Sequence, residues 1–163
     1  MSVRTPSLPG YEVGLATGNL APNFEFSTYD GQRLRLADFR GRPVYLNFWA
    51  TWCDPCKEEM PAIQQILNRY QPDHLAVIAI NNGEDAAPAQ KFVKKLGLSL
   101  TAFAFDPDQD VVKRYRIEGM PTSIFIDAEG LITRVIPGQI SLKVMDSSVR
   151  DAIIGAGKVE MRP

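Results

Sequence analysis

Short apolar segments alternate with amphipathic segments along most of the chain, and their order predicts one α/β domain. Alternating or fully apolar runs predict strands, which we place at 24–26, 34–36, 44–49, 75–80, 100–105, 122–126 and 131–136. Apolar residues at helical spacing predict helices, which we place at 54–70, 85–98, 110–115 and 142–153. The order is a β-hairpin, a βαβαβα unit, a second hairpin and a closing helix, which implies a mixed sheet covered by helices on both faces.

Two of the predicted helices have a clear apolar face. In the helix at 85–98, three apolar residues fall on one side, namely Phe92, Val93 and Leu96. Lysines fall on the opposite side. The closing helix has apolar residues at positions i, i+3, i+7 and i+11, namely Leu142, Met145, Val149 and Ile153. We expect these side chains to pack against the sheet. The helix that starts near Asp54 contains Pro61, which we expect to kink it.

Length and charge narrow the class of protein. The 163 residues correspond to one domain at about 150 residues per domain, and a hydrophobic content of 45% supplies a buried core. Lys and Arg total 18 while Asp and Glu total 19, so the chain lacks the basic surplus of a nucleic-acid-binding protein. The longest apolar run, Leu75–Ile80, is too short to span a bilayer. We therefore expect a domain with no nucleic-acid partner.

The candidate chemistry is concentrated in the two cysteines, Cys53 and Cys56. They lie where a predicted buried strand is followed by a predicted helix, so we expect Cys53 at the helix N-terminus. Free backbone N–H groups and the helix dipole favour a thiolate there, which makes Cys53 the predicted nucleophile. Residues three apart in a first helical turn lie about 5 to 6 Å apart, which allows a disulfide. Pro55 fixes the backbone between the cysteines where no hydrogen bond is lost.

Other uses of a cysteine pair fit this sequence less well. A structural zinc site needs four ligands, and His74 is the one histidine available. Attachment of c-type haem requires a histidine directly after the second cysteine, where this chain has Lys57. A purely structural disulfide across four residues would restrict the unfolded chain little, although it stays open as an alternative. We expect a redox-active disulfide with neither a metal nor an organic cofactor.

The residues around the cysteines resemble a known family. The stretch Asn47–Lys57 (NFWATWCDPCK), together with Gly119–Thr122 (GMPT), resembles the thioredoxin superfamily. The lead-in at 18–24, the pair Asp30–Gly31 and the segment 36–42 resemble the TlpA/ResA-like thiol-disulfide oxidoreductases of the redoxin, or AhpC/TSA-like, branch.

The resemblance implies a thioredoxin-like fold. Its central mixed β-sheet is flanked by helices, with an added N-terminal β-hairpin and an inserted helix, which we map to 85–98. The thioredoxin-like domain would occupy 18–163. It would follow an irregular N-terminal segment at 1–17, where prolines and glycines occur without apolar periodicity.

The resemblance also implies a substrate-binding region. In this family the proline at the position of Pro121 is cis and faces the disulfide. The preceding residue, here Met120, offers its backbone to an extended substrate. Trp52 lies directly before the first cysteine, and we expect it to shield the disulfide and to contact substrates.

Two carboxylates are candidates for a supporting role. Many thioredoxins have a buried aspartate where this chain has Asn47, and an amide cannot shuttle a proton. Glu59 matches a glutamate near the active site of ResA-like members and shares a helix face with Cys56, so it is the candidate acid–base group. A solvated carboxylate is the alternative for Glu59. Glu84 also matches a residue near the site, and capping of the following helix is the alternative.

These features predict thiol-disulfide exchange through a Cys-Asp-Pro-Cys dithiol. Asp54 places a negative charge beside Cys53 that opposes the helix dipole, so we expect a reductant of protein disulfides. Similar proteins keep the haem-binding cysteines of apocytochrome c, or other exported thiols, reduced with electrons from a membrane partner. The resemblance therefore implies protein thiol or disulfide substrates, an upstream electron donor for which a membrane protein is a candidate, and an extracytoplasmic location. We expect a monomer.

Several alternatives stay open. The redoxin lead-in is shared with peroxiredoxins, which would make the chain a thiol peroxidase. Peroxiredoxins have threonine three residues before the reactive cysteine, however, and this chain has Ala50 there. A thioredoxin-fold binding or chaperone module with a structural disulfide is the non-enzymatic alternative. A cytoplasmic location is the alternative to export, because the residues after Arg4 contain no apolar core of a secretory signal.

Overall fold

The computed structural model describes residues 3–156, and within them the elements follow the predicted order. The strands are β1 (Glu25–Ser27), β2 (Arg33–Arg35), β3 (Val44–Trp49), β4 (Ala76–Asn82), β5 (Ala102–Asp106), β6 (Thr122–Ile126) and β7 (Ile132–Pro137). The α-helices are α1 (Asp54–Arg69), α2 (Ala86–Lys95), α3 (Asp110–Arg114) and α4 (Leu142–Ile154). Short 3₁₀ turns occupy Leu36–Phe39 and Gln71–Asp73.

A five-stranded mixed sheet forms the centre of the domain, in the order β5-β4-β3-β6-β7. Strands β3, β4 and β5 run parallel, whereas β6 pairs antiparallel with both β3 and β7. The hairpin of β1 and β2 forms a separate two-stranded sheet. This is the thioredoxin-like arrangement expected from the sequence, with the hairpin added before it and α2 lying between β4 and β5.

Alternate side chains of β3 enter two different cores. Tyr45 and Trp49 lie in a core that also contains buried residues of α1, α2 and α4. Leu46 and Phe48 lie in a second core under the hairpin and α3. Every residue of β3 is buried, as its apolar run predicts. The central position of β3 matters for function because α1, which begins five residues after the strand ends, has Cys53 as its N-cap and contains Cys56.

Two apolar residues that the helical pattern assigned to the core are exposed. Leu96 is 43% exposed because α2 ends at Lys95, which places Leu96 at the C-cap beyond the last full turn. Ile153 is 36% exposed because the buried face of α4 is formed by Met145, Ser148, Val149 and Ala152. Successive residues on a helix are about 100° apart, so the neighbour of Ala152 points to the edge of that face.

Residues 3–17 contain no helix or strand, and they pack against the domain through hydrogen bonds from Asn23 N–H to Thr5 Oγ1 and from Arg40 Nη2 to the carbonyl of Pro6. Leu20 is fully buried and forms isolated β-bridges with Val13 and Leu131. The boundary after residue 17 stays a prediction, and the end of the predicted domain at 157–163 lies outside the described residues. Pro61 lies inside α1, where the expected kink also stays a prediction. Within residues 3–156, no helix is long and apolar enough to cross a membrane.

Candidate active site

The two cysteines lie at the start of α1 and form a disulfide. Cys53 is the N-cap residue of the helix, and its Sγ accepts a hydrogen bond from the backbone N–H of Cys56 over 3.3 Å. The Cα atoms are 5.3 Å apart, within the separation predicted for residues in a first helical turn. Pro55 is the second residue of the helix, where no hydrogen-bond donor is needed. The prediction that Cys53 begins the helix is confirmed.

The two sulfur-bearing residues differ in access to solvent. Cys56 is fully buried, and Cys53 retains 5% of its surface. Of the two residues, Cys53 is therefore the one that keeps contact with solvent. Trp52, directly before Cys53, is 68% exposed and presents a large apolar surface beside the disulfide. An exposed indole ring beside the disulfide offers an apolar surface for contact, and the contact role of Trp52 stays a prediction.

Met120 and Pro121 directly precede β6, whose pairing with β3 brings them to the same region, although they are more than 60 residues away from the cysteines in sequence. The Met120–Pro121 peptide bond is cis, as the resemblance implies. Met120 packs against the core that contains both cysteines, and its sulfur accepts a hydrogen bond from Asn82 Nδ2 over 3.3 Å. The carbonyl of Pro121 accepts a hydrogen bond of 2.8 Å from Gly138 N–H, in the loop before α4. Their role in substrate binding stays a prediction.

Glu59 is buried, which excludes the alternative of a solvated carboxylate. Only 2% of its surface is exposed, because the side chain lies between α1, β3 and the loop before α4. Its Oε1 accepts a hydrogen bond of 3.1 Å from Asn47 Nδ2, and its Oε2 accepts one of 2.8 Å from the backbone N–H of Ile140. Burial raises the pKa of Glu59 above its usual value, while these two hydrogen bonds act in the opposite direction. A carboxyl group in such a place can hold a proton that a surface glutamate would lose.

Asp54 is exposed at the surface and forms an ion pair. Its Oδ1 lies 3.2 Å from Lys57 Nζ, one turn along the helix. The same Nζ lies 6.0 Å from the centre of the Phe92 ring on α2. The negative charge that the sequence places beside Cys53 is therefore partly balanced by Lys57. Asp54 consequently opposes the helix dipole less than the sequence alone indicates.

Glu84 does not cap the helix that follows it, which corrects the capping alternative. The N-cap of α2 is Asp85, and no side chain caps it. Glu84 instead accepts hydrogen bonds from both the backbone N–H, at 2.7 Å, and the hydroxyl of Thr51. A third bond of 2.9 Å comes from Asn81 Nδ2. Through these hydrogen bonds, Glu84 links Thr51, directly before Trp52 and Cys53, to Asn81 near the end of β4.

Thr51, which bonds to Glu84, was not predicted from the sequence as a site residue. It has no role of its own in the motif, and its partner Glu84 is 33 residues away. No local spacing relates the two positions, so only the parallel pairing of β3 and β4 brings them together. Within residues 3–156, no group of three or more His, Cys, Asp or Glu side chains is placed to hold a metal ion. The expectation that no cofactor is needed stays a prediction.

Comparison with known proteins gives consistent matches. The model of the AhpC/TSA family matches residues 17–135. The thiol-disulfide oxidoreductase ResA of Geobacillus thermodenitrificans is 35% identical over 130 residues, which make up 80% of this chain and 74% of that protein. Such named oxidoreductases favour the redox enzyme over the peroxidase and over the non-enzymatic module.

Solved structures show the same fold. A Chlorobium tepidum protein assigned as thiol:disulfide interchange protein DsbE has a TM-score of 0.80 and 30% identity, and the match covers 86% of this chain and 99% of that one. The exposed lipoprotein thioredoxin of Streptococcus pneumoniae has a TM-score of 0.68 and 27% identity, with 78% of this chain and 98% of that one covered.

Proposed function

The chain belongs to the AhpC/TSA family and is a ResA-like thiol-disulfide oxidoreductase of the thioredoxin superfamily, and from this premise we propose that it reduces disulfides in other proteins. One observation carries the proposal: in the disulfide at the start of α1, Cys53 keeps a small exposed surface next to Trp52, whose ring is exposed, whereas Cys56 is fully buried. An N-terminal nucleophile with a buried partner is the arrangement that two-step exchange requires.

The reaction proceeds in two exchange steps in this proposal. In the reduced protein, the Cys53 thiolate attacks one sulfur of a substrate disulfide, and the other substrate sulfur leaves as a thiolate that takes up a proton. Cys56 then loses its proton and attacks Cys53. The bond between Cys53 and the substrate breaks, and the Cys53–Cys56 bond forms. The substrate gains two electrons and the dithiol loses two.

Glu59 is the proposed acceptor for the proton of Cys56. The two residues are three positions apart on α1, so they lie on the same face of the helix, and both are buried. The raised pKa of Glu59 brings its proton affinity closer to that of a thiol. Asn47, which replaces the aspartate of many thioredoxins, cannot take this role itself.

The direction of electron flow follows from the charges near the start of α1. Asp54 and Glu58 are exposed carboxylates, Glu59 is a buried one, and Lys57 is the single cation among them. Negative charge near Cys53 and Cys56 disfavours their thiolates, and a less stable reduced form makes a stronger reductant. We therefore propose a reduction potential near that of thioredoxin, about −270 mV, and far from the strong oxidant DsbA, about −120 mV.

The proposed setting is outside the cytoplasm. The Streptococcus pneumoniae relative is described as an exposed lipoprotein, which supports this location for the present chain. The proposed substrates are thiols and disulfides of exported proteins, and the haem-binding cysteine pair of apocytochrome c is the specific candidate. Such a reductase needs a supply of electrons, for which we propose an upstream donor in the membrane.

Insulin reduction tests the activity directly. With dithiothreitol as the electron source, the protein should accelerate precipitation of the insulin B chain, and Cys53→Ser should abolish the acceleration. Cys56→Ser should accumulate a mixed disulfide with the substrate instead. Equilibration with glutathione gives the potential. A value near −120 mV would refute the proposed direction, and loss of the mixed disulfide in Cys56→Ser would refute the assignment of Cys53 as nucleophile.

A further inference from the structure

The carboxyl group of Glu59 is held by hydrogen-bond donors on both of its oxygens. Ile140 N–H donates to Oε2 over 2.8 Å, and Asn47 Nδ2 donates to Oε1 over 3.1 Å. The side chains of Glu59 and Asn47 are both buried, and the backbone N–H of Ile140 can only donate a hydrogen bond. This arrangement suits an ionised carboxylate, which accepts hydrogen bonds only. It does not by itself suit a protonated carboxyl group, which must also donate one.

The second polar atom of the Asn47 side chain is unused. Within residues 3–156, Asn47 Oδ1 is buried and has no hydrogen-bond partner. A buried acceptor without a partner is costly and uncommon in native proteins, so each case requires a physical reason. Asn47 lies on the central strand β3, fully buried, so its unused oxygen is not reached by bulk solvent.

A proton on Glu59 gives this oxygen a function. Because Oε2 faces the fixed N–H donor of Ile140, the proton belongs on Oε1, which faces Asn47. In that state a carboxyl O–H would meet an amide N–H, two donors in opposition. The terminal torsion of asparagine is broad and roughly two-fold, so a half turn of the amide exchanges Nδ2 and Oδ1 without movement of the backbone. Oδ1 then accepts the carboxyl proton.

We propose that Asn47 is a positioning residue that supports both protonation states of Glu59, with Nδ2 as donor to the carboxylate and Oδ1 as acceptor from the carboxyl group. The inference rests on the proposed role of Glu59 in the exchange reaction. An aspartate at this position would add a second negative charge to the same buried site. An asparagine leaves Glu59 as the one group that takes up and returns the proton of Cys56.

The other ionisable groups around Glu59 leave this assignment clear. On β3, burial and the charge of Glu59 raise the pKa of Tyr45, while hydrogen bonding to Ser123 and Asn47 acts in the opposite direction. The Tyr45 hydroxyl therefore stays protonated, and it is bonded to Ser123 Oγ over 2.8 Å. On α1, Cys56 lies three residues before Glu59 and Glu58 is exposed. The loop that provides Ile140 N–H contains no ionisable side chain between Gly138 and Ser141.

Infrared difference spectroscopy of the reduced protein tests the proposal without any change at position 47. Spectra are recorded above and below the titration of Glu59, with asparagine labelled by carbon-13 at the side-chain carbonyl. Protonation of Glu59 should shift one asparagine carbonyl band to lower frequency, and Glu59→Gln should abolish this shift. An asparagine carbonyl band that does not respond to Glu59 would overturn the proposal.

Variants give a second, kinetic readout in insulin reduction. Asn47→Leu removes both polar atoms at similar volume. We expect kcat/KM to fall about tenfold with an altered pH profile, less than the roughly 10²- to 10⁴-fold of a whole general acid–base group, because Glu59 itself remains. Asn23→Leu is the matched control, because Asn23 is buried in the other half of the domain, where it bonds to the N-terminal segment and Ala37. It should keep the wild-type pH profile. An unchanged profile in Asn47→Leu would also overturn the proposal.

The proposed reductase function and the proposed role of Asn47 can be refuted separately. If the wild-type protein did not reduce insulin, the proposed reductase function would fail, while the infrared test of the Asn47–Glu59 pair would still decide the hydrogen-bond exchange. If the wild type reduced insulin and the asparagine band stayed constant, only the role of Asn47 would be lost.

Discussion

The hydrogen bonds between Glu84 and Thr51 can be tested with two substitutions of Glu84. Alanine and glutamine at this position should lower the free energy of unfolding by clearly different amounts. Glu84→Ala removes the acceptor for Thr51 N–H and for Asn81 Nδ2, and both bonds are partly buried. Stranding a buried donor costs about 1 to 3 kcal/mol. Solvent can reach part of this site, so we expect about 2 to 3 kcal/mol in total for the two donors.

Glu84→Gln should be far milder. The glutamine oxygen can take the place of Oε1 and accept from Thr51 N–H and Asn81 Nδ2. The amide nitrogen then takes the place of Oε2, where the Thr51 hydroxyl can rotate and accept from it. All three contacts survive as neutral hydrogen bonds, which are roughly half as strong as bonds to a charged group. We expect a loss of about 1 kcal/mol.

Urea unfolding of the oxidised protein measures both variants, with a constant m-value as the condition for comparison. Glu129→Ala, at an exposed turn far from the cysteines, is the control and should lie within about 0.5 kcal/mol of wild type. Insulin reduction should fall by up to about 10²-fold in Glu84→Ala, since the segment that positions Cys53 loses its anchor. Equal destabilisation by alanine and glutamine, or an alanine variant as stable as the control, would refute the reasoning.

Three further outcomes follow from the same structure. Burial raises the pKa of Glu59, so the native state binds this proton more tightly than the unfolded chain, and the carboxylate destabilises the fold increasingly as pH rises through the native pKa. Glu59→Gln should therefore raise the free energy of unfolding at pH 7 and lose this advantage below about pH 4, in urea unfolding at both pH values. Trp52→Ala should leave stability within about 0.5 kcal/mol and raise KM for insulin but not for a small disulfide, because the ring is exposed; equal effects on both substrates would contradict a docking role. Val93→Ala should lower the free energy of unfolding by about 1 to 3 kcal/mol, and Leu96→Ser by less than about 0.5 kcal/mol, because Val93 is buried and Leu96 is exposed. Thermal unfolding measures both, and the reverse order would show that the assignment of the core face of α2 is wrong.

Much of the fold was predictable because its signals are local. The apolar run of β3 and the hairpin around Asp30–Gly31 depend on residues next to one another in the chain. The position of Cys53 at a helix N-terminus also followed from the strand before it and the proline after it. Errors occurred at helix ends, where a periodic pattern continues past the last turn, as at Leu96, or onto the edge of a face, as at Ile153.

The candidate site was predictable only in part. The cysteines and Pro121 were identified from motifs, and Glu59 from the resemblance to ResA-like proteins together with its spacing to Cys56. The sequence did not show that Glu59 is buried, because its polar neighbours on α1 indicate a solvated face. It also did not show that Asp54 is balanced by Lys57, since a helix surface offers several partners at similar spacing.

The sequence by itself determined the order of the elements, the type of chemistry and the position of Cys53 at a helix N-terminus, since each follows from neighbouring residues and the geometry of one helical turn. Only the tertiary structure decided the environment of that chemistry. The pairing of β3 with β4 joins Thr51 to Glu84, and the packing of α1 on β3 joins Glu59 to Asn47. Hydrogen-bond partners and burial depend on which distant segments share a sheet face, and no local pattern of residues specifies that.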